Sequence, residues 1–207
     1  MRLVPFALVL GLFATPALAQ ESQQERPADW KVRFDNPAPD DAIDFVTMAP
    51  GWHVTTGPRA ILYKPSQVAS GAYRLESTIH LFPSSRREGF GVFVGGENLD
   101  GPNQSYLYFL IRGDGHYLIK HRAGDETQVI VPWTEHEAIV GHEGQEGTAE
   151  NTLAIECSGE SVDFYVNGQK VNSLPRSEMD VEGVVGLRVN HRLDIHVAGL
   201  SVSSIGA

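Results

Sequence analysis

From Trp52 onward, apolar and polar residues alternate in short runs broken by turn residues, the period-two pattern of half-buried β-strands. In "GAYRLESTIHLF", Tyr73, Leu75, Ile79 and Leu81 share one face and Arg74, Glu76, Thr78 and His80 the other, because successive strand side chains point to opposite sides. The first face is expected in the core. "GFGVFVGG" likewise puts Phe90, Val92 and Val94 inward and Gly89, Gly91, Phe93 and Gly95 outward. Glycines along one strand face mark close approach by neighbouring backbone or by a ligand.

Two hairpins are legible. In "YLYFLIRGDGHYLIKH", Leu107, Phe109 and Ile111 alternate before the turn Gly113-Asp114-Gly115, and Tyr117 and Ile119 after it. The Arg112-Gly113-Asp114 triplet is what a tight turn demands and needs no adhesion role. "VDFYVNGQKV" places Val162, Phe164 and Val166 inward around Asn167-Gly168, the pair that favours a type I′ turn. In "LDIHVAGLSV" the apolar parity shifts from Leu193, Ile195 and Val197 to Leu200 and Val202. One inserted residue near Ala198-Gly199, a β-bulge, accounts for the shift. At least nine short strands with turns between them and no amphipathic helix predict an all-β, two-sheet antiparallel β-sandwich or jelly roll over residues 51–204.

The first nineteen residues, "MRLVPFALVLGLFATPALA", combine an early cation at Arg2, an apolar stretch and the small-residue end Ala17-Leu18-Ala19. This is the layout of a secretory signal peptide, which predicts a periplasmic or secreted product cut near Ala19. Residues 20–50 read as a linker and N-terminal extension, polar at first and then rich in proline and aspartate. No later stretch is apolar enough to span a bilayer. Cys157 is the single cysteine, so no disulfide closes within the chain, and its place in the apolar register of "TLAIEC" predicts a buried, inert thiol.

The formal charge is −10, one unit more negative without Arg2. An acidic chain without basic runs has no means of gripping nucleic acid or an anionic membrane. Asp35, Asp40, Asp41 and Asp44 could offer oxygens to calcium, the only cation this composition suggests; without glycine-punctuated ligand spacing they read as a solvated acidic loop. No metal site is expected among the eight histidines, since His136 and His142 in "EHEAIVGHEGQE" match no ligand spacing.

The order of these motifs resembles the concanavalin A-like, laminin G-like sandwich group, and within it the 3-keto-disaccharide hydrolase-like domains of exported bacterial proteins. The resemblance spans about residues 52–202 and implies a domain that meets carbohydrate, as a lectin-like module or a glycoside-cleaving enzyme. Glu76 is similar in position to a carboxylate common in those domains.

Sugars are bound by aromatic faces and by polar side chains that satisfy hydroxyls. Arg74, Glu76 and His80 on one strand, Tyr106, Tyr108 and Arg112 on another, and His116 past the turn supply that inventory, with Asn190 and His191 as a rim. The leading expectation is one concave face that recognises carbohydrate without cleaving it. The alternative is a glycoside hydrolase-like enzyme using Glu76 and His80 as acid and base, and a third reading is a protein-interaction module. "RSEMDVEG" carries Glu178, Asp180 and Glu182 at alternate positions, as on a laminarinase-type catalytic strand. Its place after the Asn167-Gly168 hairpin predicts an acidic connection instead.

Overall fold

The structure is a computed structural model that describes residues 26–142 and 147–206. The expected signal peptide, the start of the linker and residues 143–146 lie outside the described residues.

Two seven-stranded antiparallel sheets face each other. The front sheet runs β1 (Lys31–Phe34), β4 (Ala60–Ala69), β13 (Gly183–Val189), β6 (Gly89–Glu97), β7 (Ser105–Arg112), β8 (His116–Ala123) and β9 (Glu126–Glu135). The back sheet runs β12 (Gln169–Pro175), β11 (Ser161–Val166), β10 (Ala149–Cys157), β5 (Tyr73–Leu81), β14 (Leu193–Ser204), β3 (Trp52–Thr56) and β2 (Ile43–Thr47). Only two short 3-10 turns, Asp40–Ala42 and Arg176–Glu178, interrupt the strands among the described residues.

The alternation explains the layers. Leu75, Ile79, Phe90, Val92, Leu107, Phe109, Phe164 and Ile195 form one buried cluster between the sheets, where Phe109 and Phe164 meet edge to face with centroids 5.3 Å apart. Each such fully buried side chain contributes about 1.5–3 kcal/mol. The Asn167-Gly168 turn has φ of +51° and +80°, the two positive values of a type I′ turn. The β14–β5 register shifts between Val197 and Gly199, which is the expected bulge.

The sandwich begins earlier than residue 51. β1 is hydrogen-bonded to β4 and β2 to β3, and Phe45 is fully buried beneath Trp30, whose ring also lies 4.7 Å from that of Trp52. The alternation of Ile43 and Phe45 that seats β2 is short and flanked by proline and aspartate, so composition hid it. The chain also changes sheet between β5 and β6. That crossing decides where the polar faces of these two strands end up.

Candidate functional site

Because β5 belongs to the back sheet and β7 to the front sheet, the expected single face divides in two. On the outer back face, Arg74 donates to Glu76 at 2.8 and 3.1 Å and to Glu156 at 3.1 Å, with its guanidinium 5.2 Å from the Tyr165 ring centroid. His80 Nδ1 lies 3.5 Å from Glu150. Glu76 and His80 are four residues apart on one strand, roughly 13 Å at the backbone, and each is turned to its own partner. They are not brought together as an acid and a base.

Tyr106 and Tyr108 do point outward from the front sheet, but they are not exposed. They are 1% and 5% accessible and pack with Tyr63, Phe93, Leu99 and Leu110 in a second apolar cluster. Phe93 occupies the space left by Gly186, where an added Cβ would lie 2.5 Å from its ring. The expectation of exposed tyrosines is corrected accordingly: the segment after β6 lays Leu99 over this face, and Arg33 holds that segment by donating to the Leu99 and Gly101 carbonyls.

Within this cluster sits a polar core that sequence reasoning missed. Arg188, 4% accessible, donates to both oxygens of Asp35 at 2.6 Å and to the Tyr106 hydroxyl at 3.4 Å, and its guanidinium lies 5.5 Å from the Tyr108 ring centroid. Arg122 lies 3.9 Å from the same carboxylate. Burial alone raises the Asp35 pKa, but the hydrogen bonds and charge of Arg188, aided by Arg122 and Arg59, outweigh it and hold the carboxyl below its ordinary range. Burial pushes the Tyr108 hydroxyl up to about 12. Asp35 is thus a half-buried counter-ion whose two oxygens are taken by Arg188, whereas Asp40, Asp41 and Asp44 stay exposed. The only sequence signal for this core was an arginine in the outward register of an apolar strand.

The other expected residues gather at one end of the front sheet. Gly89 and Arg112 are paired in register, as are Arg112 with His116 and His116 with Glu135. The Asn190 backbone N–H donates to Gly89 O at 2.9 Å, and Arg59 donates to His191 Nδ1 at 3.2 Å. Trp133, which sequence reasoning left out, fills the space over Gly89, and the Arg112 guanidinium lies 4.5 Å from its ring centroid. Arg112 Nε donates to Asp114 at 2.6 Å, so the Arg112-Gly113-Asp114 turn is closed on itself. His116 Nδ1 faces the Asp114 carbonyl at 2.9 Å. Beside them a hollow of about 560 Å³ is lined by Asp114, Glu135, His136, Ile139 and Gly141. Arg112, His116, Asn190 and His191 are all half-buried, so their remaining donors and acceptors are available to a hydroxyl-rich ligand.

The acidic triplet does not converge. Glu182 is held by Arg176 at 2.8 Å and by the Gly71 N–H at 3.1 Å, whereas Glu178 and Asp180 line a separate hollow of about 370 Å³ with His121 and Gln128. His142 is buried with Nε2 3.1 Å from Leu81 O, and His136 Nδ1 accepts from the Ala138 N–H. Those two histidines serve the chain's own backbone.

No family model matches this chain, and no curated protein matches it. Solved structures do. The carbohydrate binding module CBM66 from Bacillus subtilis superposes with a TM-score of 0.63 at 14% identity, over 85% of this chain and 96% of that one. A Bacteroides ovatus mixed-linkage glucan GH16 protein gives 0.60 at 7% identity, over 87% and 97%. A Bacillus subtilis protein with a galectin-like fold gives 0.59 at 10% identity, over 85% and 89%. At such identities the likeness establishes the fold, a concanavalin A-like jelly-roll sandwich.

Proposed function

We propose that this chain is an exported β-sandwich that recognises carbohydrate without cleaving it, at the end of the front sheet that carries Arg112, His116, Asn190, His191 and Trp133. The observation that carries the reading is the row that Asn190, Gly89, Arg112 and His116 form across the end of the front sheet, with the Trp133 indole over Gly89 and against the Arg112 guanidinium, next to the hollow at Asp114. A sugar presents hydroxyls that both donate and accept, together with C–H patches, and this set of groups answers each. The fold adds support, since the superposable structures include a carbohydrate binding module. Export rests on the signal-peptide layout of residues 1–19.

The non-catalytic form is preferred to a 3-keto-disaccharide hydrolase-like enzyme because Glu76 is tied to Arg74, which also holds Glu156, and the expected second group, His80, is turned to Glu150 instead. It is preferred to a protein-interaction module because the large exposed apolar side chains among the described residues stand apart, Val68 on β4, Val129 on β9 at the far side of the same sheet, and Val140 in the loop after β9, and so offer no single contact patch. A glycan array probed with the purified protein tests the proposal. Saturable binding to a defined oligosaccharide supports it, and an array without a hit that calorimetry can reproduce overturns it.

A further inference from the structure

Positive charge is unevenly placed on this acidic chain. Lys and Arg number 16 against 26 Asp and Glu, yet beside Trp133 one carboxylate is surrounded by cationic side chains. Asp114 has Arg112 Nε at 2.6 Å, Arg87 Nε at 3.6 Å and His116 Nδ1 at 3.3 Å. Two permanent positive charges share one negative charge there, and Arg87, in the β5–β6 loop, is 78% accessible. On the far side of Gly89, Arg59 and Glu88 both reach His191 and offset each other, so the surplus belongs to Arg112 and Arg87.

Arg112 is held so that this charge can be used. Its guanidinium lies 4.5 Å from the Trp133 ring centroid, and Nε is committed to Asp114. Neither Nη is hydrogen-bonded among the described residues, and neither is sealed from solvent. An aromatic ring on one face and a fixed Nε bond keep the planar fork in one orientation with its Nη1–Nη2 edge open. A carboxylate satisfies such an edge with two parallel N–H···O bonds. A sugar hydroxyl offers one acceptor oxygen and no charge.

We propose that the glycan recognised at this end carries a carboxylate, a uronic acid residue gripped by Arg112 through Nη1 and Nη2, with Arg87 adding charge from the exposed side. This rests on the carbohydrate reading above and names its ligand class. The hollow alongside limits how much charge the ligand brings. Glu135 and Glu137 line it together with Asp114, and they repel a second anionic residue placed there. The ligand is therefore a glycan with one acid residue flanked by neutral sugars, and not a polyuronate.

The test is an array of oligosaccharides, each printed with a single uronate and again with that carboxyl reduced to the alcohol, alongside polyuronates and singly sulfated counterparts, with affinities then taken by calorimetry. The uronate form of the best pair should bind about tenfold or more tighter than its reduced form. R112K keeps a charge but lacks the fork and should abolish that preference. R87Q changes an exposed side chain, so it reads out the site even where R112K fails to fold, and should cut the preference about threefold. Equal affinity for both forms overturns the acid assignment and leaves the carbohydrate reading standing, whereas no binding to either form removes both. Tightest binding to a polyuronate or a sulfated glycan, or a preference unchanged in R112K, also overturns the assignment.

Discussion

Arg188 and Asp35 form a two-pronged ion pair, both bonds 2.6 Å long, on the side of the front sheet that points away from the sandwich core. Asp35 is 15% accessible and Arg188 4%, so the guanidinium has no water to fall back on and the carboxylate little. Replacing Asp35 by Ala leaves a buried guanidinium without its counter-ion, and the expected loss is about 3–5 kcal/mol in urea unfolding. Because the Asp35 pKa is lower folded than unfolded, the pair's contribution is complete above the unfolded carboxylate pKa. It is lost as pH falls through the folded value. D35A should therefore flatten the acid limb of the stability profile, and an unchanged limb would show that another carboxylate governs it.

Gly186 is required by space. A Cβ there would lie 2.5 Å from Leu62 O in the neighbouring strand and 2.5 Å from Phe93. The ring can shift, but the carbonyl belongs to the β4–β13 ladder. G186A should cost about 3 kcal/mol, more than the ~1 kcal/mol that reduced unfolded-state freedom returns. A thermal melt indistinguishable from that of the parent chain would contradict this.

The two faces of each strand were legible because alternation is local, whereas the partner of each strand was not. Arg74, Glu76 and His80 were correctly assigned to a polar face, but nothing in the residues of β5 states that the next strand crosses to the other sheet. The same holds for His53, His196 and His80, far apart in sequence, which register alone sets in one row. Tyr106 and Tyr108 failed for a different reason. A long-range cover, Leu99 with Arg33 bracing its segment, turned an outward face into an interior. Asp35 was obscured by its proline-rich surroundings, which resemble a loop until β1 and β2 are seen to flank it.

Cys157 illustrates a position where local pattern sufficed. It is fully buried, and burial pushes its thiol up to about 11. At pH 8 only about a thousandth of it is thiolate, the form that reacts. Native protein should consequently react with a disulfide reagent orders of magnitude more slowly than chain unfolded in urea, at a rate set by opening of the sandwich. Stoichiometric labelling of the native chain within seconds would refute this placement.

The division of the polar residues between two sheets gives the carbohydrate proposal its sharpest check. W133A removes the ring beneath the Arg112 guanidinium, and R112A removes both that guanidinium and the closure of the turn through Asp114. Each should weaken binding of the array's best oligosaccharide about tenfold or more, about 1.4 kcal/mol. E76Q and R74A disturb only the ion network on the back sheet, partly exposed pairs of the kind that contribute little to stability, and should leave affinity unchanged. Calorimetric titration of the four variants, each matched to the parent in melting behaviour, separates the faces. Should E76Q abolish binding while W133A retains it, the ligand sits on the back sheet and the assignment of the site to the Trp133 end is wrong.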